Sequence, residues 1–203
     1  MDGVSSSTAS PTEGLRERRK RRTRERIVAE GLRLFTQQGY SATTCEQIAA
    51  AAEVSPATFY RYFPSKEDVV LRDEYDPLLV AALEQRPADE HPVDSMIRAI
   101  GDVLAGGDQT DAEVIRARTR LILDTPALRA RLYEQNRETR AVLTEPLARR
   151  LGQAPDAVGV QVLGAAIVAA LEVGVERWAQ QGGDLADRLT QALQALRDAG
   201  ASS

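Results

Sequence analysis

Apolar residues recur at helical spacing along nearly the whole chain, and no segment alternates with the period of two that a half-buried strand requires. From Leu15 to Gln38 the pattern predicts one helix, basic in its first half. Its second half carries Ile27, Val28, Leu32 and Phe35 on one face, and Gly39 ends it. Three helix starts then follow closely. Thr43 with Glu46 matches a capping box, Ser55 precedes Pro56 at a first helical position, and Ser65 has Asp68 three places on. Short helices with tight turns are expected, the first with Cys45, Ile48, Ala49 and Ala52 on a single apolar face. The lone thiol belongs to that face as a small buried hydrophobe.

Beyond Ser65 the helical pattern is interrupted at Pro77, at RPADEHP, at AGGDQTD, at Thr125-Pro126, between Gly152 and Pro155, and at Gly182-Gly183. These breaks predict five or six further helices, hence an all-α fold of about nine. Residues 156–181 are apolar on nearly every side. Val162, Ala166, Ala169 and Val173 share one face, and Ile167, Leu171 and Trp178 another. The last helix supplies Leu185, Leu189, Ala192, Leu193 and Leu196 at helical spacing. These two helices are expected to pair with their symmetry mates in a homodimer. The domain reading is a flexible Ser/Thr/Pro tail over 1–14, a small domain over 15–64 and a larger helical domain over 65–203.

Charge is divided unevenly. Of 203 residues with net charge −4, residues 1–72 carry 12 Lys/Arg against 9 Asp/Glu, whereas the remainder is acidic. The run LRERRKRRTRER at 15–26 has eight basic and two acidic side chains. A basic head on an acidic body points to a polyanionic partner for the head, with a merely solvated basic face as the alternative. One cysteine and one histidine exclude a disulfide framework and a structural zinc site, and neither a metal nor another cofactor is expected. There is no phosphate loop, nucleophile elbow or H-E-x-x-H, and His91 sits in a proline-flanked loop, so no catalytic residue is expected. The opening residues hold no signal-peptide core, and the longest uncharged run, Ala157 to Leu171, is short of the roughly 20 residues of a membrane span. A cytoplasmic protein with no membrane partner is expected.

The second and third short helices, separated by Glu53 and Val54, have the layout of a helix-turn-helix. Phe59 and Phe63, four apart, point together into the core. Ala57, Thr58 and Arg61 face outward, with Arg61 able to read guanine bidentately. Tyr60 and Tyr62 flank them as phosphate donors, and Ser55 and Pro56 form the tip that approaches base edges. Thr43, Thr44 and Lys66 stand at helix N-termini suited to phosphate.

The segment LFTQQGYSATTCEQIAAAAEVSPATFYRYFPSKEDVV, residues 34–70, resembles the DNA-binding domain of the TetR family of bacterial transcriptional regulators, with its GY turn, paired threonines, T-F-Y core, YF and SKE. The resemblance implies an all-helical homodimer with an N-terminal three-helix domain that binds a double-stranded operator, and a larger domain that binds a small-molecule effector. It also implies repression until that effector binds. Its DNA-contacting positions fall on Thr43, Thr44, Ser55, Pro56, Ala57, Thr58, Tyr60, Arg61, Tyr62 and Lys66. Two residues depart from the pattern: Glu53 and Ala57 each stand where the family usually has glycine, and a left-handed turn at Glu53 would cost about 1 kcal/mol. Residues 115–135 resemble effector domains of actinobacterial members, some of which respond to acyl-CoA thioesters.

Projecting Val114 to Leu123 as a helix puts Arg118 among Val114, Leu121 and Ile122, with Arg116 and Arg120 pointing away. Gln135, Asn136 and Thr139 share a face with Leu128, Leu132 and Leu143, and Glu172 is the only charge between Asp156 and Glu176. Arg118, Gln135, Asn136, Thr139 and Glu172 are therefore the candidate effector site, with a purely structural Arg118–Glu172 pair as the alternative. Two other function classes compete with a ligand-controlled repressor. They are a constitutive DNA-binding dimer without an effector, and an enzyme fused to a helix-turn-helix.

Overall fold

Twelve residues of α1 (Leu15–Gln38) precede the first buried one, so this helix begins as an exposed basic rod and only later acquires a core face in Ile27, Val28, Leu32 and Phe35. The computed structural model describes residues 14–71, 75–105 and 109–201. Ten helices and no strand occur among them. The tail expected over 1–14, apart from Gly14, lies outside the described residues.

Residues up to Val69 form one compact unit and those from Val70 onward another. The first contains α1, α2 (Cys45–Ala51), α3 (Pro56–Tyr62) and most of α4 (Lys66–Leu71). The division falls inside α4 and not after Pro64, because the first turns of α4 are tied to the small unit. Lys66 Nζ donates to the carbonyls of Tyr40 and Thr43 at 2.8 and 3.0 Å, and the Tyr40 hydroxyl donates to Glu67 at 2.5 Å. Val69 packs so closely on α1 that a Cβ on Gly31 would stand 2.7 Å from its Cγ1. A side chain at Gly31 would push α4 off α1.

The N-cap of α2 is Thr44 and not Thr43. Gln47 N donates to Thr44 Oγ1 at 3.2 Å while the Gln47 side chain accepts from Thr44 N at 2.9 Å, a complete capping box one residue later than expected. Thr43 is only 1% exposed, with its hydroxyl donating to Gly39 O at 2.9 Å. Ser55 caps α3 through Thr58 N at 3.1 Å, with Pro56 at N1, and Ser65 caps α4 through Asp68 N at 3.3 Å. Between α2 and α3, Glu53 adopts φ 52°, and its N–H and that of Val54 donate to Ala50 and Ala49. This is a Schellman closure with glutamate at the left-handed position. Phe59 and Phe63, with ring centroids 6.2 Å apart, are fully buried in this unit, as are Ile27 and Ile48, each phenylalanine worth roughly 1.5–3 kcal/mol. Cys45 is half-buried at the edge of that core, where burial raises its thiol pKa.

The second unit is a bundle of α5 (Tyr75–Glu84), α6 (Pro92–Ala105), α7 (Gln109–Asp124), α8 (Pro126–Leu151), α9 (Val158–Gln181) and α10 (Leu185–Ala201). The ten described helices agree with the expected about nine, and Pro77 lies within the first turn of α5, where its missing N–H is harmless. The core runs from Leu83, Met96 and Ile100 through Leu143 and Leu147 to Ile167, Trp178, Leu189 and Leu193. α9 and α10 cross tightly at Gly174, where a Cβ would lie 3.1 Å from the Arg188 carbonyl.

Two expectations need correction here. The leucines of α10 are not left for a partner: Leu185, Leu189 and Leu193 are buried within this chain's own core. Nor does Arg116 point away, since its guanidinium lies 4.5 Å from the Trp178 ring centroid, while Trp178 Nε1 donates to Gly183 O at 3.0 Å. α9 has the length and apolarity of a membrane-crossing helix, but Val160, Ile167, Val168 and Trp178 bury one side of it in the bundle.

Candidate functional site

In the small unit, α3 presents the expected face. Ser55, Pro56 and Ala57 are exposed at its N-terminal tip, Thr58 is half-buried beside them, and Tyr60 is 45% exposed. The Ser55 hydroxyl donates to Thr58 Oγ1 at 2.9 Å, which aligns the tip and leaves the Thr58 hydroxyl proton to donate outward. Thr44 is exposed at the start of α2. Two of the named positions are engaged inside the domain. Thr43 is buried, and the Lys66 ammonium gives two of its three N–H groups to carbonyls and stands 4.4 Å from the Tyr40 ring centroid, so it ties the domain together first and keeps at most one donor for a phosphate.

The phenols behave differently from each other. Tyr60 donates to Glu46 Oε1 at 3.1 Å, a bond that pushes the phenol up to about 12. Glu46 is held below the usual carboxylate range by its own backbone N–H and then by Tyr60. Arg61 lies over the Tyr62 ring at 5.4 Å, and both line a groove of about 520 Å³ with Arg16, Arg19 and Lys20 of α1. Arg61, expected on the outward face of α3 to read guanine, thus stands beside the basic rod of α1.

In the helical unit, a cavity of about 250 Å³ takes in all five candidate effector residues: Arg118 from α7, Gln135, Asn136 and Thr139 from α8, and Glu172 from α9. Asn136 Nδ2 donates to Glu172 Oε1, which anchors the carboxylate to α8. Gln135 Nε2 donates to the Leu71 carbonyl at 2.7 Å, so the amide of a cavity residue grips the last turn of α4. Val70 and Leu71 themselves line the cavity. Thr119 and Glu176 add two further polar side chains, and the rest of the wall is aliphatic, with Ile100, Leu104, Ile115, Ile122, Val168 and Leu171 in it and no aromatic side chain.

Sequence periodicity did not bring in Val70 and Leu71, near the start of the larger domain, or Glu176, which figured only as the next charge after Glu172 along α9. An i, i+4 step from Glu172 to Glu176 would have placed both on one face. Among the described residues no cluster of His, Cys, Asp or Glu is arranged to hold a metal.

Comparison with known proteins matches both units. The family model for "Bacterial regulatory proteins, tetR family" covers residues 27–72, and that for "MftR C-terminal domain" covers residues 90–200. The HTH-type transcriptional regulator TcmR of Streptomyces glaucescens is 40% identical over 164 residues, or 75% of this chain and 73% of that protein. Among solved structures, the transcriptional repressor FadR of Thermus thermophilus, in complex with lauroyl-CoA, has TM-score 0.51 and 27% identity, covering 85% of this chain and 92% of that one. A SmeT–triclosan complex has TM-score 0.59 at 20% identity, covering 88% and 91%, and supports the fold.

Proposed function

This chain belongs to the TetR family of bacterial regulatory proteins, and we propose that within it the chain is a cytoplasmic repressor, released from a pseudo-palindromic operator when a small molecule fills the cavity of the helical unit. Its relatives are transcriptional regulators and not enzymes. Thr44, Ser55, Pro56, Ala57, Thr58, Tyr60, Arg61 and Tyr62 make the DNA contacts, with the α3 tip reading base edges and the rest holding phosphate.

The observation that carries the regulatory part is the Gln135–Leu71 hydrogen bond. Gln135 lines the cavity, and its amide holds the final carbonyl-bearing turn of the same helix whose first turn is bound by Lys66 to Tyr40 and Thr43. A ligand that competes for the Gln135 amide frees the end of α4, so occupancy acts on the helix that leads into the DNA-binding unit. A constitutive binder has no use for a polar-lined cavity at this place. The effector has aliphatic bulk and a polar end: aliphatic walls take an acyl chain, while Arg118 and the Asn136–Glu172 pair take hydrogen-bonding groups. An acyl thioester is the class to test first, supported by the lauroyl-CoA bound to the Thermus repressor.

Operator DNA selected from a random library, shifted in gels by the full chain, tests the reading when acyl-CoAs of increasing chain length are titrated in. Arg118→Ala and Asn136→Leu should keep operator binding and lose response. An effector that releases both variants as it releases the parent would remove those residues from the site. Release by no compound of the series would favour the constitutive dimer.

A further inference from the structure

We propose that the exposed first half of α1 and the C-terminal end of α3 form a second DNA-binding zone, a groove for the sugar-phosphate backbone flanking each half-site. This rests on the reading of the small unit as a DNA-binding domain. The first twelve residues of α1 bury no side chain, so packing does not hold them helical. They also place eight cations at the end of a helix whose dipole disfavours positive charge, and at i, i+3 and i+4 spacings where like charges repel.

A polyanion relieves both penalties, and the geometry indicates where it lies. Arg16, Arg19 and Lys20 fall on the one α1 face that, with Arg61 and Tyr62, encloses the groove of about 520 Å³. Glu17 is the acidic side chain in its wall, and it sits 3.7 Å from Lys20 in an exposed pair that water and salt weaken. Among the described residues, Arg16 and Arg19 have no carboxylate partner. Arg61 and Tyr62 belong to the recognition helix, so an anion in this groove belongs to the duplex that α3 engages. From Arg16 to Thr23 the helix spans roughly 10 Å, a length over which one DNA strand presents about three phosphates.

The test compares the full chain with the triple variant Arg16→Gln, Arg19→Gln, Lys20→Gln on two duplexes, the minimal selected operator and the same operator extended by several base pairs on each side. The parent should bind the extended duplex on the order of tenfold tighter, and the variant should lose that preference. The slope of log K against log salt should fall in magnitude by about 5 in the variant, three cations being lost from each of the two protomers on the operator, with base preference unchanged. Arg16→Lys with Arg19→Lys, which keeps the charge, should retain both the slope and the flank preference. An unchanged slope in the Gln variant, or a loss in the Lys variant equal to that in the Gln variant, would overturn the groove and leave the helix-turn-helix reading intact. Failure of the parent to select any operator would instead remove the DNA-binding reading itself.

Discussion

The Tyr60 hydroxyl donates to the Glu46 carboxylate at 3.1 Å, which joins the start of α2 to α3 on the surface proposed to meet DNA. Without DNA, this bond satisfies the phenol but sets a negative charge among prospective phosphates. Glu46→Gln should therefore tighten operator binding by about three- to tenfold at low salt, with little change in sequence preference, since it removes repulsion and frees a donor. Tyr60→Phe should weaken binding. Weaker binding by Glu46→Gln, in a gel shift at fixed salt, would mean that the carboxylate positions Tyr60 for DNA and does not compete with it.

Arg61 and Phe59 separate binding from folding. Phe59 is fully buried and Phe59→Ala should cost roughly 3–5 kcal/mol, enough to melt the small unit. Arg61→Ala should leave the thermal transition in place and weaken binding by about 1–3 kcal/mol. Because the Arg61 guanidinium lies over Tyr62 beside the α1 groove, the loss should be uniform across operator sequences. A loss confined to operators with guanine at one position would place Arg61 back in the major groove.

Glu53 holds φ 52° in the turn of the helix-turn-helix, and its carboxylate is 3.6 Å from Arg26 in an exposed pair of little energetic weight. Glu53→Gly removes the Cβ strain and should stabilise the domain by about 0.5–1 kcal/mol. A lower melting temperature in this variant would give the Arg26 pair more weight than its exposure suggests.

Legibility of the sequence followed the range of the interactions involved. The Ser55 and Ser65 caps and the buried Phe59–Phe63 pair depend on residues within a few places of one another and could be read from spacing, whereas the left-handed Glu53 was legible only through the resemblance, in which glycine holds that position. The paired threonines were legible only as a pair, since Thr43 and Thr44 are both good caps. Gly39 O accepts the Thr43 hydroxyl, and that contact decides which of them is buried. Helical projection of α7 and α8 found Arg118, Gln135, Asn136 and Thr139, because their faces are set by periodicity, and Glu172 stood out on α9 as the only charge between Asp156 and Glu176. Projection failed for Arg116, whose direction is decided by Trp178, 62 positions along the chain. The contacts of Lys66 were equally beyond reach of local pattern, since its carbonyl partners lie 26 and 23 residues away.

Glu90 gives the helical unit an acid-sensitive clasp. Arg86 holds it in two bonds at 3.1 and 3.2 Å, Ser95 donates at 2.8 Å and Arg98 approaches at 2.9 Å, and the Arg86 bond above all lowers the carboxyl from 4.5 to about 2. A folded-state value below the unfolded one means that the clasp contributes fully above about pH 4.5. Its contribution is lost as pH falls toward 2. Glu90→Gln should thus be less stable than the parent at neutral pH, with the gap closing between pH 4.5 and 2. Denaturant melts across that window check it, and a gap that stays constant would show that charge is not what Glu90 supplies.

α9 leaves an apolar stripe uncovered: Val158, Val162 and Val173 are 77%, 60% and 50% exposed, with Ala169 open between them. α10 has already turned Leu185, Leu189 and Leu193 inward and shows Asp187, Gln191 and Gln194 to solvent, so the apolar part of a dimer interface falls mainly to α9. A row of valines and an alanine on a straight helix suits close approach of a second copy of the same helix about a two-fold axis. Val162→Glu with Val173→Glu should then give a folded monomer, because neither side chain contributes to the chain's own core, yet two carboxylates per protomer would face each other across the axis. Loss of the dimer should also weaken binding to a two-half-site operator by at least about 100-fold, since the second half-site no longer binds at high effective concentration. Sedimentation at micromolar protein decides the point: a double variant that remains dimeric would move the interface off this stripe.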